Sequence, residues 1–249
     1  MRALLAALFG LGLFAGLALG QKPKEPNKDA PVLLMALPFG VPPGQATKLE
    51  LRGLRLDTAK EVSASVGTIK LLGKDKVAVP GNQDASRVGD SRVRVEYTPP
   101  ADAPDEVELT LTTAAGKATV KVLIDRKPLV AEKEPNDGFK QAQAVKLGDT
   151  VAGVIERGQD VDVYRFQGKK GQQVTVDVLA ARRGGGLDAF LSLYDEAGQL
   201  LGSCDDSNDS RDAELSLTLP RDGFYYVVVS DADDTGGSTH AYRLMLSAK

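Results

Sequence analysis

The sharpest constellation of oxygen-bearing side chains in this 249-residue chain is Glu132-Lys133-Glu134-Pro135-Asn136-Asp137, four within six residues. Glu132, Glu134 and Asn136 are spaced by two, so an extended backbone points all three to one side. Asp137 turns in from the following residue, and Pro135 stiffens the segment. Carboxylates this close repel one another unless a cation neutralises them. Calcium takes about six to eight oxygens and tolerates irregular geometry, so such a run would supply about half of a coordination shell. The competing reading is a solvated acidic linker whose Asn136 and Asp137 cap a turn at Phe139.

The remaining chemistry-bearing residues point elsewhere. Asp205, Asp206, Asn208, Asp209 and Asp212 have the composition of a calcium loop. They lack the spacing and final Glu of the helix–loop–helix calcium motif, and read as a polar hairpin loop. Asp231, Asp233 and Asp234, before Gly236-Gly237, read the same way. His240 is the sole histidine, so a Ser-His-Asp triad must be built on it or not exist. No activated-serine motif lies near it, and a structural role is expected. One His and one Cys cannot close a zinc site, and the lone Cys204 leaves no internal disulfide. Gly184-Gly185-Gly186 lacks the Lys-Ser/Thr and following helix of a phosphate loop and reads as a strand connection. A carboxylate pair for glycoside hydrolysis stays open on spacing alone. In Phe224-Tyr225-Tyr226, alternation separates Phe224 and Tyr226 from Tyr225; one face is core, and a Tyr on the other could meet a ligand. The absence of Trp weakens a sugar-platform reading. No catalytic residue is assigned, and the chain is expected not to be an enzyme.

These residues are set in short strand-like runs. PVLLMAL, TKLELRG, KEVSASV, TIKLL, KVAVP, SRVRVEYTP, DEVELTLTT and KATVKVLI fill the first half. In Arg92 to Tyr97, Val93, Val95 and Tyr97 share one face; Val107, Leu109 and Leu111 do likewise. Period-2 alternation over short runs predicts half-buried antiparallel strands, and about seven in 100 residues suggest an immunoglobulin-like sandwich. The second half repeats the pattern: TVAGVIE, DVYRFQG, QQVTVDVLAA, AFLSLYD, QLLGS, AELSLTLP, FYYVVVSD and HAYRLMLS, after a brief helix or turn over Phe139 to Val145. The expectation is all-β: two β-sandwich domains, residues 31–127 immunoglobulin-like and 128–249 jelly-roll-like.

Met1-Arg2 followed by the uncharged run Ala3 to Leu19, with small Ala18 and Gly20 before Gln21, has the layout of a secretory signal peptide over residues 1–20. A polar leader, 21–30, follows. No later stretch is apolar enough to span a membrane, so a secreted, periplasmic or cell-surface protein is expected. Residues 21–130 carry a net charge of +3 and residues 131–249 a net −7. That acidity argues against nucleic acid, which needs clustered Lys and Arg, and fits a module that holds cations.

From Glu134 to Asp137, Gly158 to Phe166, Lys169 to Arg182, Leu187 to Leu201, Asp205 to Leu215, Asp222 to Asp231 and Ala241 to Leu246, the second half resembles the bacterial pre-peptidase C-terminal (PPC) domain. These β-sandwich modules are appended to secreted proteases and are related to the collagen-binding domains of clostridial collagenases. The first half is similar, through Pro31 to Leu56 and Thr112 to Ile124, to the IPT/TIG-type immunoglobulin-like domain. The resemblance implies that Glu132, Glu134, Asn136 and Asp137 chelate calcium with help from an Asp before the second strand; Asp160 and Asp162 match it. It implies an exported, non-catalytic accessory protein, a monomer mediating adhesion or assembly with an extracellular protein or polysaccharide. The rival readings are a secreted carboxylate-dependent hydrolase, or a module acting in trans on a secreted protease.

Overall fold

The computed structural model describes residues 27–249. The expected signal peptide and residues 21–26 lie outside the described residues. Half of the described residues are strand, in four sheets paired face to face as sandwiches, as the alternation predicts.

The first module contains β1 (Val32–Leu37), β2 (Gly40–Val41), β3 (Thr47–Leu54), β4 (Glu61–Ala64), β5 (Thr68–Lys76), α1 (Ala85–Val88), β6 (Ser91–Thr98), β7 (Glu106–Thr112) and β8 (Lys117–Ile124). One sheet has the order β1-β3-β6-β5 and the other β2-β8-β7-β4. The opening strand changes sheets at Pro38: β1 pairs antiparallel with β3, then β2 pairs parallel with β8. Val93, Val95 and Tyr97 from β6 face Val107, Leu109 and Leu111 from β7 in one aliphatic core. KVAVP is not a separate strand. The TIKLL strand runs on through a bulge at Leu72 to Lys76, and the following residues form a loop into α1. Asp84 caps α1 by accepting the Ser86 N–H at 2.7 Å; four residues are too few to show a helical period in the sequence.

The second module contains β9 (Val130–Ala131), β10 (Gln143–Ala144), β11 (Thr150–Val154), β12 (Val161–Gly168), β13 (Gln173–Leu179), β14 (Ala189–Asp195), β15 (Leu200–Cys204), β16 (Glu214–Thr218), β17 (Gly223–Asp231) and β18 (Ala241–Ala248). The sheets are β10-β12-β17-β14-β15 and β16-β13-β18-β11-β9. Tyr164, Phe166, Val174, Val176, Leu191, Leu193, Val227 and Leu244 meet in the core. Residues 139–141 form a turn, with no helix there.

Two very short strands position the acidic run. β9 joins one sheet as a parallel edge on β11, and β10 joins the other as a parallel edge on β12. The chain between them must cross from sheet to sheet at the rim of the sandwich, and that crossing is Glu132 to Asp137. The Val163 N–H of β12 holds it by donating to the Asn136 carbonyl at 3.0 Å.

Candidate metal centre

Asp162, Tyr164 and Phe166 alternate along β12 and point into the sandwich. The strand therefore carries a carboxylate into the apolar interior, directly beneath the crossing. One ligand oxygen each from Glu132, Glu134 and Asp162 lies within 4.8 Å of the others. Asn136, fully buried, reaches the same point: its Nδ2 donates to Glu132 Oε1 at 3.2 Å. Its backbone N–H donates to Glu134 Oε2 at 3.0 Å.

A hydroxyl pair backs the carboxylates. Tyr164 donates to Glu132 Oε1 at 2.9 Å, Tyr242 donates to Asp162 Oδ2 at 2.6 Å, and the two phenol oxygens are 2.6 Å apart. Glu132 Oε2 accepts the Val154 N–H at 2.8 Å. Gly153 makes room for this arrangement, because a Cβ there would sit 2.5 Å from the Tyr242 ring and hydroxyl.

Two oxygens in the centre have no partner: Asn136 Oδ1 and Asp162 Oδ1, both buried. Each such orphan costs about 1–3 kcal/mol. Burial, with Glu132 alongside, pushes the Asp162 carboxyl up to about 9. Burial and the neighbouring carboxylates also push the Tyr164 and Tyr242 hydroxyls up. Glu134 is raised by partial desolvation and by the charges of Asp160, Glu132 and Asp137. The chemistry is that of a site short of positive charge. The donor set is all oxygen and irregular, which suits calcium better than zinc or copper.

Of the six residues expected to bind metal, Glu132, Glu134, Asn136 and Asp162 converge. Asp160 is buried, but its Oδ2 accepts the Glu156 N–H at 2.6 Å. Asp137 faces Arg157 at 3.9 Å. Both stand near enough to act on Glu134 by charge. Tyr164 and Tyr242 were not anticipated. Tyr164 shares the inward face of Asp162 by strict alternation, which was readable. Tyr242 comes from 110 residues beyond Glu132 and carried no local signal.

The other acidic groups divide. Asp212 is structural, accepting the N–H groups of Ala180 (2.9 Å), Ala181 (2.5 Å) and Arg182 (3.0 Å) and Arg182 Nε (2.7 Å). Asp205 and Asp206 gather instead with Asp188. Tyr225 is core, whereas Phe224 and Tyr226 face outward; Phe139 stacks on Tyr226 at 4.7 Å and the Arg165 guanidinium lies 4.7 Å over Phe224.

Comparison with known proteins places a family on this module. Residues 160–231 match the model of the bacterial pre-peptidase C-terminal domain, so the second module carries that domain. A probable subtilase-type serine protease of Deinococcus radiodurans is 34% identical over 137 residues. The alignment takes in 51% of this chain and 18% of the relative, and it falls on the PPC part. The chain thus spans less than a fifth of that relative. Among solved structures, the pre-peptidase C-terminal domain of a Bacillus anthracis collagenase is 20% identical, with 49% of this chain and 98% of that one covered and a TM-score of 0.34. The periplasmic g-type lysozyme inhibitor PliG of Aeromonas hydrophila is 20% identical, covering 43% and 97% with a TM-score of 0.35.

Proposed function

We propose that this is an exported, non-catalytic binding protein whose PPC module holds one calcium ion at Glu132, Glu134, Asn136 and Asp162. One observation carries the reading: two buried, unpartnered oxygens stand beside three clustered carboxylates. A cation would satisfy both orphans, neutralise the carboxylates and clip the rim crossing to β12. Asp137 and Asp160 would add charge from the flank.

Calorimetric titration with calcium tests it. The wild-type chain is expected to bind one ion and to melt higher in its presence; at a hundredfold excess over Kd the gain is about 2.7 kcal/mol. The double variant Glu134→Gln/Asp162→Asn is expected to lose both effects. Absence of heat and of a melting shift in the wild type would refute the site.

The first module is read as immunoglobulin-like. Its strand order, with β1, β3, β6 and β5 in one sheet and β4, β7 and β8 in the other, is that of the constant-type immunoglobulin sandwich. With two sandwiches and a signal-like N-terminus, the chain suits binding to an extracellular protein or polysaccharide. Among the described residues, no helix is long and apolar enough to cross a membrane.

A hydrolase would need an accessible pair of carboxylates, one holding a proton at neutral pH. Asp162 meets the second condition, but it is fully buried and locked to Tyr242, so substrate cannot reach it. The match to a probable serine protease favours a narrower version of the binding reading, action in trans on a secreted protease. Retention of such a protease from the native secretome on the immobilised chain would support it; retention of other proteins or glycans instead would replace it.

A further inference from the structure

The two modules meet through a contact that neither needs for its own core. Met35, Phe39 and Val88 of the first module are buried yet belong to neither sandwich core. They lie under the loop Gly184-Gly185-Gly186 of the second. A Cβ at Gly184 would strike the Leu34 carbonyl, one at Gly185 would sit 3.2 Å from the Phe39 ring, and one at Gly186 would sit 3.1 Å from Val88 Cγ1. Polar contacts surround this strip. Arg87 of α1 donates to Asp233 Oδ2 at 2.9 Å, to the Gly186 carbonyl at 3.0 Å and to Asp188 Oδ2 at 3.3 Å. Gln83 donates to the Gly236 carbonyl at 2.8 Å, and Arg243 pairs with Asp125 at 2.7 Å.

Between α1 and the β17–β18 connection lies a cavity of about 180 Å³ whose walls include Gln83, Arg87, Val88 and His240. His240 is 1% exposed. Its partners place a proton on Nε2. The Thr235 hydroxyl has one proton and donates it to Asp231 Oδ1 at 2.9 Å. It therefore accepts from His240 Nε2–H, also at 2.9 Å, while Nδ1 faces the Thr239 hydroxyl at 3.5 Å. Asp231 stands 3.9 Å from Nε2, but it already accepts from the Thr235 hydroxyl and from the N–H groups of Asp188, Asp233 and Thr235. The charged groups around the ring are Asp231, Asp188, Asp233 and Asp84, against Arg87 and Arg211.

We propose that the junction between the modules is an acid-released latch, with His240 as the trigger and Arg87 as the bolt. Docking α1 shuts the ring away from water and brings the Arg87 guanidinium towards it. Both disfavour a second proton. Burial lowers His240 below its ordinary value of 6.5; Asp231 opposes that, and Arg87 and Arg211 add to it. Undocking reverses the two causes that α1 supplies, so the open form binds a proton more readily than the closed one. By linkage, docking is full above pH 6.5 and weakens as pH falls below it. Each unit between the open and closed values is a tenfold loss in the docking equilibrium.

Small-angle X-ray scattering of the chain between pH 7.5 and pH 5.0 tests the latch, with circular dichroism confirming that both sandwiches stay folded. The wild type is expected to be compact at pH 7.5 and to expand below pH 6.5. His240→Gln is expected to stay compact to pH 5.0, and Arg87→Gln to be expanded throughout. A wild type compact at pH 5.0, or a His240→Gln chain expanding with the same midpoint, would overturn the proposal. Should His240→Gln not fold, the sole histidine still reports by proton NMR in tag-free protein. Its titration midpoint is expected to rise in Arg87→Gln, and an unchanged midpoint would equally overturn the latch.

Discussion

Asp162 is a carboxylate in an apolar interior, and its protonation decides what the centre can do. Without a cation it holds its proton at neutral pH, because its carboxyl is pushed up to about 9. The folded chain then binds a proton that the unfolded chain, near 3.8, has lost. Between those values stability falls as pH rises, by at most about 1.4 kcal/mol per unit. Calcium needs the ionised form, so it should expel that proton and remove the slope. Thermal melts at pH 6.0 and pH 8.5 are expected to show a clear loss in chelator and little or none in excess calcium. A different prediction attaches to Asp212, which shared its acidic loop composition with exposed neighbours and could not be told from them in the sequence. Three backbone N–H groups and one guanidinium converge on it. Asp212→Ala should cost about 3–5 kcal/mol in denaturant unfolding, whereas Asp205→Ala, at an exposed position of the same loop, should cost under about 0.5 kcal/mol.

At the scale of elements, the strands were legible where one face is dry and the other wet. Val93, Val95 and Tyr97 in β6 and Val107, Leu109 and Leu111 in β7 alternate as they pack. What periodicity cannot reach is a strand of two residues. β2, β9 and β10 exist because longer neighbours offer them an edge, and β9 and β10 are the elements that turn Glu132 to Asp137 into a crossing between sheets. The acidic run was therefore readable as a cluster, and the burial of Asn136 and half-burial of Glu132 against β12 were not. Tyr242 depends on a still longer-range fact, that β18 pairs with β11 and sets Tyr242 opposite Gly153. Gly153→Val should displace that ring. A loss of about 1–3 kcal/mol in stability is expected, together with calcium affinity weakened at least tenfold by calorimetry. Affinity unchanged in a destabilised variant would show that the Tyr pair supports the fold and not the centre.

At the scale of the whole molecule, the net charge of −7 beyond residue 130 is concentrated where a compact module must bring its carboxylates together. The fold does so at the sandwich rim, with two oxygens left bare. The chain has no Trp, and two tyrosine hydroxyls stand at the centre, which makes terbium luminescence the most direct measurement. Excited through tyrosine, the wild-type chain is expected to sensitise bound terbium, to lose that emission when calcium is added, and to show none of it in Asp162→Asn. Emission that persists undiminished in Asp162→Asn, or that calcium does not displace, would contradict a calcium site built on Glu132, Glu134, Asn136 and Asp162.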